Sequence, residues 1–252
     1  MILGIDHVVL TVYDLDKALE EWQLLGFKTR FVERELETHI SKKSILEAFE
    51  PHHGIALVQG DYGLVVELVE HGQSLTTGTS PYAILIDTLT IPQTTDQAKM
   101  TIDDWQDAQT LISGYGTVWY HGNRNKSGFR SMILHTSDLL QTVEFWTKAL
   151  HFTVQNIVNN CVTLAFQSVI PTWSLHLTLI ESPTSHHSLL DSPGVTCISF
   201  ITDRIEQDIK HLQTNNAQQV SEVFSLVVNN HKLRVVFFRS PTNELIEVIT
   251  FK

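Results

Sequence analysis

Cysteine is almost absent from this chain. Its 252 residues include only Cys161 and Cys197, too few for a disulfide framework and suited to reduced thiols in a cytoplasmic protein. Basic residues are also scarce. Seventeen Lys and Arg stand against 28 Asp and Glu, a formal net charge of -11. With no basic cluster to meet a phosphate backbone, nucleic acid is excluded as the expected partner. The chain has no apolar run long enough to span a bilayer and no basic segment leading into an apolar one at its start. Neither a membrane span nor a signal peptide is expected. What is present is ordinary for a soluble globular protein: 42% hydrophobic residues and a mean hydropathy near zero, in a length that can bury a full core.

The most informative feature is an internal repeat. IDHVVLTVYDLDKALEEWQLLGF at residues 5–27 and RSMILHTSDLLQTVEFWTKALHF at residues 130–152 share one plan. An alternating apolar strand leads to an Asp, then to an amphipathic helix that closes on Leu-x-Phe or Leu-Gly-Phe. In the first copy Ile5, His7, Val9 and Thr11 are expected on one strand face, by the period of two. Asp14 is the expected N-cap, and Leu15, Ala18, Leu19 and Trp22 form a core-facing stripe. Gly26 supplies the stop. Three further strands, FKTRFVER, GIALVQG and LVVELVE, complete a β-α-β-β-β unit.

Four such units can be traced. The second begins at Pro81 with YAILID, places a helix near Thr101 and then offers only YGTVWYHG, so it is expected to have lost strands. The third carries a helix capped by Asp138, with Leu139, Val143 and Trp146 inward. The fourth starts with VTCISFIT, continues with a helix from Asp203 and ends in LIEVITF. Polar segments near 72–81, 123–128 and 182–194 read as linkers. The expected organisation is α+β, four βαβββ units with the second truncated, in two domains at residues 1–125 and 126–252.

HVVLTVYDLDKA at residues 7–18 and SPTNELIEVI at residues 240–249 carry a family resemblance. Paired β-α-β-β-β units, D-L-x-x-A after the first strand and a closing Pro-x-Asn-x-x-x-Glu resemble the vicinal oxygen chelate superfamily. That group includes glyoxalase I, extradiol dioxygenases and bleomycin-binding proteins. The resemblance implies cup-shaped mixed sheets, each built from two units, with metal ligands on the first and last strands. Carried over, the first-strand positions are His7, Pro81, Ser131 and Cys197. The last-strand positions are Glu67, Thr178 and Glu247, with none evident in the second unit. His7, Glu67 and Glu247 are ordinary ligand types and Cys197 is an unusual one. If the first unit faces the fourth, these residues converge. If units pair in sequence order, the commoner arrangement in that family, His7 and Glu67 face Pro81 and no persuasive metal site results.

The resemblance therefore implies a small-molecule enzyme, a metal-assisted lyase or isomerase for a substrate with adjacent oxygens. A divalent ion would be held by His7, Glu67 and Glu247, and one carboxylate would act as base. The alternative is a metal-free protein that sequesters an aromatic or cationic small molecule; a third is a scaffold whose cups are filled by side chains. His135 and His176, off the ligand registers but on the same strand faces, are candidates for a second pocket, and Cys197 for substrate contact. His52, His53, His71, His186 and His187 read as solvated loop residues. Expected partners are a small-molecule ligand and, as the fold allows, a second copy in a homodimer, with neither nucleic acid nor membrane.

Overall fold

The computed structural model describes residues 1–72, 80–89, 118–122, 124–183 and 189–252, with the backbone of two short strands at 95–96 and 109–111. The first unit contributes β1 (Ile2–Thr11), α1 (Leu15–Leu24), β2 (Lys28–Glu37), β3 (His52–Gln59) and β4 (Val65–Glu70). The second gives β5 (Tyr82–Asp87), β6 (Thr95–Asp96), β7 (Gln109–Leu111) and β8 (Val118–His121). The third gives β9 (Gly128–Thr136), α2 (Leu139–Lys148), β10 (Thr153–Val158), β11 (Cys161–Phe166) and β12 (Leu175–Glu181). The fourth gives β13 (Gly194–Thr202), α3 (Ile205–Thr214), β14 (Phe224–Val228), β15 (His231–Arg239) and β16 (Leu245–Phe251). Four strands of the second unit are thus present among the described residues, where strands were expected to be lost. The helix expected near Thr101 lies outside the described residues.

Two mixed sheets of eight strands result, ordered β14-β15-β16-β13-β1-β4-β3-β2 and β10-β11-β12-β9-β5-β8-β7-β6. The first joins units one and four and the second joins units two and three. Each sheet draws on both sides of the 125/126 boundary, so two halves in sequence order do not describe how the sheets form. The joints are the antiparallel first strands, β1 with β13 and β5 with β9.

One core fills the space between the sheets. It takes Val8, Leu10 and Phe200 from the first, Ile84, Met132 and Leu134 from the second, and Trp22 and Trp146 from the helices. Asp14 and Asp138 cap α1 and α2 by accepting from the N–H groups of Lys17 and Gln141 at 3.0 and 2.9 Å, as side chains of this type do at helix starts. Asp203 does not cap α3. Arg204 holds that position without a side-chain bond, and Asp203 pairs with the amino group of Met1 instead. A register shift between Ile5 and His7 also alters the simple alternation. The bulge turns Ile5 into the shared core while His7 and Val9 face the other way.

Candidate metal and ligand site

The face of the first sheet turned away from the shared core wraps around a cavity of about 330 Å³. Strands at opposite edges of the sheet both reach it, β2 through Phe31 and β14 through Leu226. The edges meet where Glu33 accepts from the backbone N–H of Asn229 at 3.0 Å. The sheet is therefore curled nearly shut.

Register decides what this cavity holds. On β1 and β13 the pairs His7–Ser199 and Val9–Cys197 flank a central Val8–Ile198 pair. Val9 lies beside Glu67 on β4, and Ser199 beside Glu247 on β16. Two-fold repetition thus sets His7 equivalent to Cys197 and Glu67 equivalent to Glu247. The same construction on the second sheet, from the pairs Ala83–Ile133, Leu85–Ser131, Leu85–Trp119 and Ile133–Thr178, gives Ala83, Ser131, Trp119 and Thr178. Ala83, not Pro81, holds the first-strand position of the second unit. Trp119 supplies the last-strand position that the sequence left blank. Ala83 and Trp119 form a small apolar cluster with Leu85 and Ile133, and Ser131 and Thr178 offer only hydroxyls, so these four positions of the second sheet carry no metal ligand of the usual kind.

In the first cavity the three expected ligands converge. Nε2 of His7 stands 3.5 Å from Oε2 of Glu67 and 3.5 Å from Oε2 of Glu247. Nδ1 of the same ring meets Oδ2 of Asp6 at 2.8 Å. The two 3.5 Å contacts are ion-pair distances, and Nε2 is buried with no hydrogen-bond partner. Burial by itself depresses the His7 pKa, but Glu67, Asp6 and Glu247 outweigh it and hold the pKa well above its ordinary value. Burial likewise pushes the Glu67 carboxyl up, and the neighbouring His7 reverses this to a net lowering. The carboxylates call for a positive charge beside them, which the protonated His7 ring supplies by itself and which a divalent ion would supply on displacing that proton.

A divalent ion suits that demand in donor type: one imidazole nitrogen and two carboxylate oxygens. Ligands roughly 2.1 Å from such an ion stand about 3.0 to 3.4 Å from each other, close to the present separations. Among the described residues no group of three or more His, Cys, Asp or Glu side chains is arranged as it stands to hold a metal ion, so the fit rests on donor type and on the unpartnered Nε2 with its two carboxylates.

The other candidates lie elsewhere. Cys197 is fully buried outside the cavity lining, with Sγ 3.6 Å from the carbonyl of Ile198. Burial, with the charges of Glu247 and Glu67, pushes its thiol pKa well up, so it stays protonated. A neutral buried thiol is neither a metal thiolate nor a ligand contact. His135 and His176 belong to β9 and β12 of the second sheet and do not line this cavity.

Residues that sequence reasoning passed over complete the site. Asp6 orients His7. Lys42, on a tight turn at Ile40–Ile45, and His53, on β3, both line the cavity. His53 and His71 are buried and stacked with ring centroids 5.3 Å apart, not solvated loop residues. The flanking hydrophobic alternation on β3 was the available signal for His53.

No family model matches the sequence, and no curated protein matches it. Solved structures do match. A mutant of glyoxalase I from Zea mays aligns at a TM-score of 0.65 and 13% identity, over 98% of this chain and 92% of its own. Unmutated Zea mays glyoxalase I aligns at 0.60 and 14%, over 98% and 92%. A putative dioxygenase from Bacillus subtilis gives 0.68 and 11%, over 99% and 85%. Among the described residues no helix is long and apolar enough to cross a membrane. Identities this low speak for architecture alone, and on that evidence the chain has the vicinal oxygen chelate fold.

Proposed function

We propose that this protein is a small-molecule enzyme working with a divalent metal ion, a lyase or isomerase for a substrate with adjacent oxygens. His7, Glu67 and Glu247 are the residues that hold the ion. The observation that carries this reading is the buried, unpartnered Nε2 of His7 with a carboxylate oxygen 3.5 Å away on each of two strands. When bound, a divalent ion supplies Lewis acidity toward neighbouring substrate oxygens.

The chain's own groups have distinct tasks. Asp6 engages Nδ1 of His7 and so fixes the ring with Nε2 toward the cavity. Glu67 is the more open of the two carboxylates, 18% exposed against 10% for Glu247, and is the group placed to take and return a substrate proton. Val9, Phe31 and Phe237 wall the cavity and keep water from the proton in transit. One imidazole with two carboxylates differs from the two-His, one-carboxylate set of iron oxygenases, which favours lyase or isomerase chemistry over dioxygenation.

The test is elemental analysis of wild type and Glu67→Gln, purified without chelator and after metal reconstitution. The wild type is expected to hold about one ion per chain and the variant far less, because Gln keeps the shape and removes the charge. Near-zero metal in both would end the metalloenzyme reading. It would turn attention to a metal-free pocket for an aromatic or cationic compound, a reading supported by the rings of Phe31 and Phe237 beside the carboxylates.

A further inference from the structure

Lys42 is 7% exposed, yet its ammonium forms no ion pair or hydrogen bond among the described residues. Nζ lies over the ring of Phe237, 5.9 Å from the centroid, and the charge reaches the Glu67 carboxylate only through space, beyond ion-pair distance. A buried ammonium without an anion is costly, and structures retain one where something else meets it. Lys42 lines the cavity and is not an incidental surface residue that has folded inward.

The turn that carries it is pinned. His39 accepts from Ser41 N–H at 3.2 Å and stacks on Phe224 at 4.5 Å. At the other end Leu190 N–H donates to the Ile45 carbonyl at 2.7 Å. The Asp191 carboxylate then receives the N–H groups of Glu47 and Ala48, each at 2.9 Å. Ile45 and Leu46 are packed into the same apolar cluster as Val9 and Phe237. The turn that carries the ammonium is thereby held in place before any ligand arrives.

The two histidines near it add donors but no charge. His53 also lines the cavity, and its Nδ1 is engaged by the Thr38 hydroxyl at 2.8 Å, which leaves Nε2 for the cavity. Burial first, then the charge of Lys42, pushes the pKa of His53 down to about 2 and that of His71 down to about 3, so both rings are neutral.

We propose that Lys42, with His53 beside it, is the receptor for a carboxylate on the ligand of this cavity. The ligand class is then a small monocarboxylate with an apolar middle, its anionic end on Lys42 and its other end toward His7, Glu67 and Glu247. A single ammonium without an ion pair, beside neutral imidazoles and with Glu67 acting on it only at longer range, matches one negative charge, which selects a carboxylate over a phosphate dianion. The apolar stretch is set by Phe31, Leu57 and Phe237, which line the space. This rests on the reading of the cavity as a ligand site.

The probes are 3-phenylpropanoate, its neutral amide 3-phenylpropanamide, and 3-phenylpropylamine. Each is titrated by calorimetry into wild type, Lys42→Met and Lys42→Arg, with and without prior chelator treatment. In wild type the carboxylate is expected to bind at least about tenfold more tightly than the amide. Lys42→Met should abolish that preference while leaving amide affinity unchanged, and Lys42→Arg should keep most of it. Lys42→Met should also melt no lower than wild type, because an unpartnered buried charge has been removed without loss of the stem. Equal binding of acid and amide, preference for the amine, no binding of any probe, or a preference that survives Lys42→Met would each overturn the proposal. A preference surviving Lys42→Met but lost on chelation places the carboxylate on a metal, which refutes the role of Lys42 and supports the metal reading. Loss at Lys42→Met regardless of chelation supports Lys42 even where Glu67→Gln shows no metal.

Discussion

Lowering the pH should unfold this protein through two buried histidines that the folded state keeps neutral. His53 and His71 leave water together, both about 4% exposed, and Lys42 adds a like charge beside them. Their folded-state pKa values, about 2 and about 3, lie below the ordinary value of about 6.5 that they regain on unfolding. Between those limits the unfolded chain binds protons that the folded one refuses, so stability is full above about pH 6.5 and falls as the pH drops. At pH 5 the unfolded state gains about 2 kcal/mol per histidine, from 1.36 kcal/mol per unit over about one and a half units. Urea unfolding at pH 7.5 and pH 5.0 measures this directly. In His71→Phe, which preserves an aromatic ring against His53, the loss of stability over that interval should be smaller than in wild type by about 2 kcal/mol. The carboxylates titrate alike in both proteins and cancel in the comparison. An identical decline would refute the assignment of His71 as a buried neutral ring.

Two other outcomes follow from local geometry. Asp6→Asn should weaken metal binding by about 10- to 100-fold, as loss of a group orienting a ligand histidine does, with melting little changed; competition with a chelating dye reads it. Gly63→Ala should cost about 2 kcal/mol or more in thermal unfolding. Its φ is +77° and an added Cβ would run into the carbonyl oxygen of Phe129, backbone that cannot swing aside.

Features set within a few residues were legible in the sequence. Asp14 and Asp138 cap their helices because the capping bond spans only three positions, and Trp22 and Trp146 are buried because helical periodicity points them inward. What depended on a distant partner was not legible. The pairing of the first unit with the fourth leaves no local mark, although the whole site depends on it. The choice between Pro81 and Ala83 is a register choice, made by β9 across the sheet. Ile5 left its expected face at a bulge that only the β13 partner defines. Lys42 was invisible because a lysine in a short polar turn resembles solvated surface; only the closure of the turn by Leu190 and Asp191 buries it.

The joining of units one and four has a further meaning for how the molecule comes into being. His7 and Glu247 are 240 positions apart yet 3.5 Å from each other. Neither half of the chain can carry the site alone, and during synthesis the first strand emerges long before β13 and β16 exist to cover it. Such distant partners make for high contact order and slow folding, since a long loop must close before the contacts that reward it. While waiting, β1 exposes an apolar edge of the kind that chaperones shield. The cavity needs strands of the first and the fourth unit together, so its ligand would bind only chains in which both have folded.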